Sequence, residues 1–261
     1  MIRWLASQSG WVLFPVMIGI GAAIAFGLIV LVRRHVPDDV RSRVGPTAAV
    51  TLQVLATMFA ILIAFVIVDE YTQLRDTQAQ VSDKAAALST LYENSRAFPT
   101  PEGDAVREKT LAYAREFTGI TVPHLGHEAT PDVTTDRALE DVFKTVQAIE
   151  PTSQSQKTAY DAMVSSLDRV VQTRSALVNA AKSTVPITLI VILFVIGLTA
   201  MAVAAPLDTR HRRSHVLLVS SLALVIWVTL ALVVSLDYPF NGIIRVSDAP
   251  VKEFVQFRSA R

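Results

Sequence analysis

Four apolar runs stand out from a more polar chain: Trp11–Val32, Thr47–Val68, Val185–Ala205 and His215–Leu236. The second, TAAVTLQVLATMFAILIAFVIV, carries no charge over 22 residues. About 20 such residues in a helix cross the roughly 30 Å hydrocarbon core of a bilayer, so the pattern predicts four membrane spans. The second run does not stop at the membrane edge. No proline or glycine interrupts residues 47–96, and from Asp69 onward Tyr71, Leu74, Gln78, Val81, Ala85, Leu88 and Tyr92 recur at spacings of three and four. That is the seam of a coiled coil, and it predicts that the span continues as a stalk helix to Arg96.

The polar insert between the second and third spans is expected to be helical throughout. Pro99-Thr100-Pro101 ends the stalk, and Glu102–Thr118 restarts a helix with Val106, Thr110, Tyr113 and Phe117 along one side. Gly119–Thr134 reads as a loop. Thr135–Glu150 reads as an amphipathic helix presenting Leu139, Val142, Val146 and Ile149. Thr152–Ser183 is a long helix whose positions Tyr160, Val164, Leu167, Val171, Arg174, Val178 and Ala181 alternate four and three. It is the natural antiparallel partner of the stalk helix. Each seam has one polar interruption, Gln78 about ten residues after the second span and Arg174 about ten before the third, which equal rise places at one height. Together they would form a polar layer that sets register; otherwise Arg174 reaches solvent and Gln78 is incidental.

The links Arg33–Pro46 and Leu207–Ser214 are short. Pro46 suits the first turn of the second span, Pro186 opens the third, and Pro206 closes it. The tail Ile243–Arg261 is polar, with a short helix expected over Ala249–Phe257. The fold class is all-α: a polytopic membrane protein with four transmembrane helices and a coiled-coil-like helical bundle inserted between the second and third. The divisions are residues 1–68, 69–184, 185–236 and 237–261.

Composition supports this, with 51% hydrophobic and 18% charged residues. Zero cysteines exclude disulfides and thiolate chemistry. The net charge of +1 hides an asymmetry: Glu70–Lys182 holds 12 basic against 16 acidic side chains, a balance of −4 that leaves +5 elsewhere. Nucleic acid is not an expected partner. Seven arginines, Arg33, Arg34, Arg41, Arg43, Arg210, Arg212 and Arg213, sit in the two short links. Two spans separate those links, so they share a side. The positive-inside rule makes it cytoplasmic and puts the helical domain and both termini outside a bacterial inner membrane. The first run is too long for a signal peptide and has no small-residue cleavage site after it, so it is expected to remain as a span.

Candidate chemistry is sparse. The second span has a polar-to-small face, Gln53, Thr57, Ala60 and Ala64, and an opposite bulky one, Leu55, Phe59, Leu62 and Val66. The first face is a candidate pore lining, with Phe59 or Leu62 as a constriction that gates by dewetting; the plainer alternative is that Gln53 and Thr57 bond to neighbouring helices. Gly19, Ala23 and Gly27 form a small-residue stripe expected to pack within the chain rather than between subunits. Asp69, Glu70, Asp237 and Asn241 fall at span exits on one side, a candidate ion mouth, against capping and headgroup contact. His124, His127 and Glu128 match neither zincin order and lie between prolines, so they read as loop residues. No metal site, cofactor or catalytic residue is expected, because the chain has no glycine-rich phosphate loop and no nucleophile elbow. No span has a charge at its middle, which speaks against a proton-coupled transporter.

Three segments carry a family resemblance: Val54–Val66 (VLATMFAILIAFV); Ala87–Tyr92 (ALSTLY) with Arg96 and Pro99; and Asp237–Gly242 (DYPFNG) with Val246 and Ser247. With the two-plus-two span layout they resemble the bacterial bestrophin-like family of four-span membrane proteins. The resemblance implies a homo-oligomeric ring of subunits, a pentamer by that likeness, with the second span around the axis and the helical domain extending the conduit. It also implies the opposite sidedness to the arginine count, because bestrophins proper keep the large helical domain and both termini in the cytosol. The expected function is an oligomeric ion channel in the lipid bilayer. A membrane-anchored scaffold or sensor, whose helical domain binds a partner, is the alternative.

Overall fold

The computed structural model describes residues 10–127, 130, 133–207, 212–241 and 244–259. Among these the regular elements are all helical. They are α1 (Gly10–His35), α2 (Asp38–Asn94), α3 (Glu102–Glu116), α4 (Val122–His127), α5 (Val133–Gln147), α6 (Gln154–Lys182), α7 (Ile187–Ala204), α8 (Arg212–Leu236) and α9 (Ala249–Ser259). A 3-10 turn, Ser95–Ala97, follows α2, and a π-helical turn, Phe117–Thr121, follows α3. Among the described residues four helical stretches are long and apolar enough to cross a membrane, as the four expected spans require.

Two expected breaks are helical instead. The link before the second span is helical from Asp38, and Pro46 lies inside α2 rather than in its first turn. An interior proline removes one backbone donor and crowds the turn before it, at a cost of about 3 kcal/mol, yet the helix of 57 residues runs through it. The predicted loop Gly119–Thr134 is half helical, because the π turn and α4 carry the backbone on to His127. Glu128 lies outside the described residues.

The chain forms two compact units, one from Met1–Tyr71 and Thr184–Asp237, the other from Thr72–Ser183 and Tyr238–Arg261. The first holds the apolar core, in which Ile29, Phe59, Leu193, Met201, Trp227 and Leu230 are buried together. With lipid outside as apolar as the core, close backbone approach rather than the hydrophobic effect drives such packing. Gly21 on α1 permits it: a Cβ there would fall 2.2 Å from Trp227 Cδ1. Trp227 also meets Phe194 edge to face at 5.8 Å. The packing face of α1 is thus Gly21, Ala25 and Ile29. The predicted stripe of Gly19, Ala23 and Gly27 faces away from the core, and among the described residues no side chain from elsewhere lies within 4 Å of where a Cβ on either glycine would stand. The expectation that this stripe packs within the chain is therefore corrected.

In the second unit α2 and α6 run antiparallel, as expected. Ser183 Oγ donates to Gln73 Oε1 at 3.3 Å, and Arg169 pairs with Asp83 at 2.7 Å. The buried row of α6 is Ala159, Met163, Ser166, Val170, Thr173 and Leu177. That is one position over from much of the predicted seam, whose Val164 and Val171 are exposed. Ser166 and Thr173 can be buried because their hydroxyls donate to the Ala162 and Val170 carbonyls at 2.7 and 3.0 Å. The predicted faces of α3 and α5 hold: Val106, Thr110 and Tyr113 are buried on one, Leu139, Val142 and Val146 on the other. The C-terminal residues belong to this unit. Phe254 of α9 meets Tyr92 edge to face at 6.0 Å, Arg258 pairs with Glu93 at 2.5 Å, and Arg115 donates to Ser259 Oγ at 2.9 Å.

Candidate functional site

On the second span one side of the helix is packed and the other is open. Phe59, Ile63 and Val66 are buried in the core of the first unit, and Leu55 and Leu62 pack against it. Gln53, Thr57, Ala60 and Ala64 are exposed, and among the described residues no other helix covers them. Thr57 Oγ1 donates to its own helix at the Gln53 carbonyl, 2.8 Å away. That bond leaves the face without an unmet donor at Thr57. The predicted division into two faces is therefore observed, with one correction. Phe59 is not on the open side: its ring lies beside Gly197, 3.7 Å from where a Cβ would stand. A bulky residue opposite a small face is what the core needs to fill its volume, so Phe59 and Leu62 serve packing and are withdrawn as constriction candidates.

Three of the four candidate mouth residues come together. Glu70, just past the last apolar residue of the span, is buried, and so is Asp237, whereas Asp69 is exposed. Burial first, and then the charges of Asp237 and Asp69, push the Glu70 carboxyl up to about 7. Asp237 holds a structural post, its Oδ1 accepting from the Val185 N–H at 2.5 Å where the third span begins. Asn241 belongs to the other unit, where its Nδ2 donates to the Gly126 carbonyl at 2.6 Å. A Cβ on Gly126 would lie 2.6 Å from Asn241 Oδ1, so a larger residue there would push the Asn241 side chain aside. Among the described residues no group of three His, Cys, Asp or Glu side chains is arranged to hold a metal ion.

Gln78 and Arg174 do not form the predicted layer. Gln78 Nε2 donates to the Ser247 carbonyl at 3.1 Å, and its Oε1 accepts from the Ser247 N–H at 2.7 Å. Arg174 pairs instead with Asp136 of α5. Equal height was a sound inference for two antiparallel helices, but height says nothing of azimuth, and each side chain turns to a different neighbour. The charged side chain buried in this unit is Lys84, with no exposed surface at all among the described residues. Its Nζ donates to Tyr113 Oη at 3.0 Å and to the Val170 carbonyl at 3.4 Å, and it stands 4.7 Å from the centroid of the Phe117 ring. The sequence signal was the neighbouring stripe Thr77, Val81, Lys84, Leu88 and Leu91, which has the same helical spacing but contains a charge.

No curated protein matches this chain. Solved structures do. A variant of a bacterial bestrophin homologue from Klebsiella pneumoniae aligns at 14% identity over 94% of this chain and 99% of that one, with a TM-score of 0.68. A second variant aligns at 11% identity over 95% and 97%, with a TM-score of 0.71. The homologue phased on zinc aligns at 13% identity over 93% and 94%, with a TM-score of 0.66. At these identities the likeness establishes the fold. The family model for the bestrophin-like domain matches residues 19–251, nearly the whole chain, and the protein belongs to the bestrophin-like family.

Proposed function

We propose that the protein is an oligomeric ion channel in which the open face of the second span, Gln53, Thr57, Ala60 and Ala64, lines the axis. The observation that carries this reading is the asymmetry of that span. Leu55, Phe59, Leu62 and Val66 pack in or against the core, whereas among the described residues Gln53, Thr57, Ala60 and Ala64 stay exposed, interleaved with the exposed Val54, Met58, Ile61 and Phe65. A helix facing lipid all along its free side gains nothing from a glutamine there, since a polar side chain in hydrocarbon is costly. Around an axis shared with other copies, the same glutamine meets water or its symmetry mates. Small residues at the next turns leave room for an ion path. Family membership supports the class of function. The acidic group of Asp69, Glu70 and Asp237 would bias the ion concentration near the span exit toward cations.

Reconstitution into planar bilayers tests the proposal. Wild-type protein is expected to pass current under an ion gradient, and Ala60→Leu, which narrows the lining without touching the core, is expected to lower unitary conductance severalfold. Absence of current under every gradient, or a conductance indifferent to Ala60→Leu, refutes it.

A further inference from the structure

Lys84 has no part in the channel reading, yet it occupies the least hospitable place for a charge in the second unit. On α2 itself the adjacent Asp83 is engaged at the surface by Arg169. From α3 comes the buried Tyr113 hydroxyl, from the π turn the Phe117 ring, and from α6 the Val170 carbonyl and the Arg174 guanidinium, which Asp136 of α5 pairs. Among the described residues no carboxylate pairs with Lys84. An ammonium has three donors and no acceptor, and here it finds two oxygens and the faces of two rings. A neutral amine fits better, since it can donate to the Val170 carbonyl and accept from the Tyr113 hydroxyl.

We propose that Lys84 is a proton switch for the helical unit: the neutral amine closes the core between α2, α3 and α6, and protonation loosens it. Burial, and secondarily the Arg174 charge, lower its amine from 10.5 to about 7. Because the folded value is depressed, the penalty is fully present below about pH 7. It is relieved as pH rises from there toward 10.5, the range in which the unfolded chain binds the extra proton. The switch does not depend on ion conduction.

Hydrogen exchange on the full-length protein in detergent tests it, with rates corrected for intrinsic pH dependence. Peptides covering residues 80–92, 108–118 and 165–178 are expected to be at least about tenfold less protected at pH 6 than at pH 9, one pKa unit being a tenfold change. Lys84→Met is expected to abolish that difference. Equal protection of the wild type at both pH values, or a difference that survives in Lys84→Met, overturns the proposal. Should Lys84→Met fail to fold, Asp136→Asn decides. It leaves Arg174 uncompensated beside the amine, so the midpoint of the wild-type transition is expected to move to lower pH, and an unmoved midpoint overturns the switch. Exchange is read without any current, so failure of the channel reading leaves this result intact, and the reverse also holds.

Discussion

At Gly21 a methyl group would fall inside the indole ring of Trp227, and at Gly19, two residues away, it would meet nothing. The two positions make a controlled pair. Gly21→Ala forces the tryptophan off its place against Phe194, an overpacking that costs about 1–3 kcal/mol. It is expected to lower the melting temperature in detergent, whereas Gly19→Ala is expected to leave it unchanged or slightly raised through lost chain entropy. Equal melting temperatures for the two variants would remove the packing account of α1. The same pair shows why the sequence misleads at this scale. Gly19, Ala23 and Gly27 have the spacing of a helix contact, but so do Gly21 and Ala25, and the choice between them is made by Trp227, some two hundred residues on. Lys84 was hidden for a related reason. A lysine in a polar stretch reads as solvated, and nothing local announces that Tyr113 and Val170 will enclose it.

Helices were the most legible objects in the chain. All four spans, the amphipathic faces of α3 and α5, the antiparallel pairing of α2 with α6 and the short C-terminal helix were readable, because each depends on period and on the punctuation of proline and serine. Ser153, for example, caps α6 by accepting from the Gln156 N–H at 3.2 Å. What escaped was rotation about the axis. Where both adjacent stripes carry valine and alanine, the seam can be read one residue off, as in α6, since Ser166 and Thr173 look polar but satisfy themselves on their own helix. Gln78 follows from the same misreading. Taken as a coiled-coil interruption, it proves to be a two-bond clasp on the backbone at Ser247, donating once and accepting once. Gln78→Ala removes both bonds, each worth about 0.5–1.5 kcal/mol. The expected result is faster hydrogen exchange in residues 244–249 with little change in α5, and unchanged exchange at Ser247 would show that the clasp holds nothing.

At the scale of the whole molecule, two physical arguments about the side of the membrane on which the helical unit lies point opposite ways. Seven arginines in the links joining paired spans favour a cytoplasmic position for those links, hence an external helical unit, because translocating each arginine opposes the membrane potential and the anionic inner leaflet. The family likeness implies the reverse. The acidic balance of residues 70–182, −4 overall, carries little weight, since long polar domains cross largely regardless of charge. The arginine count is the argument internal to this chain, and from it we expect the helical unit outside. The absence of cysteine makes the test direct, as single-cysteine variants report without background. Val133→Cys, on an exposed position of α5, and His35→Cys, at the end of the first span, are expected to label oppositely with a membrane-impermeant maleimide on intact spheroplasts. Labelling at 133 before lysis and at 35 only after it supports the arginine rule. The converse pattern would assign the links to the outside despite their charge and would place the acidic group at Glu70 and Asp237 on the cytosolic side, so that the cation bias proposed for it would act on ions leaving the cell rather than entering it.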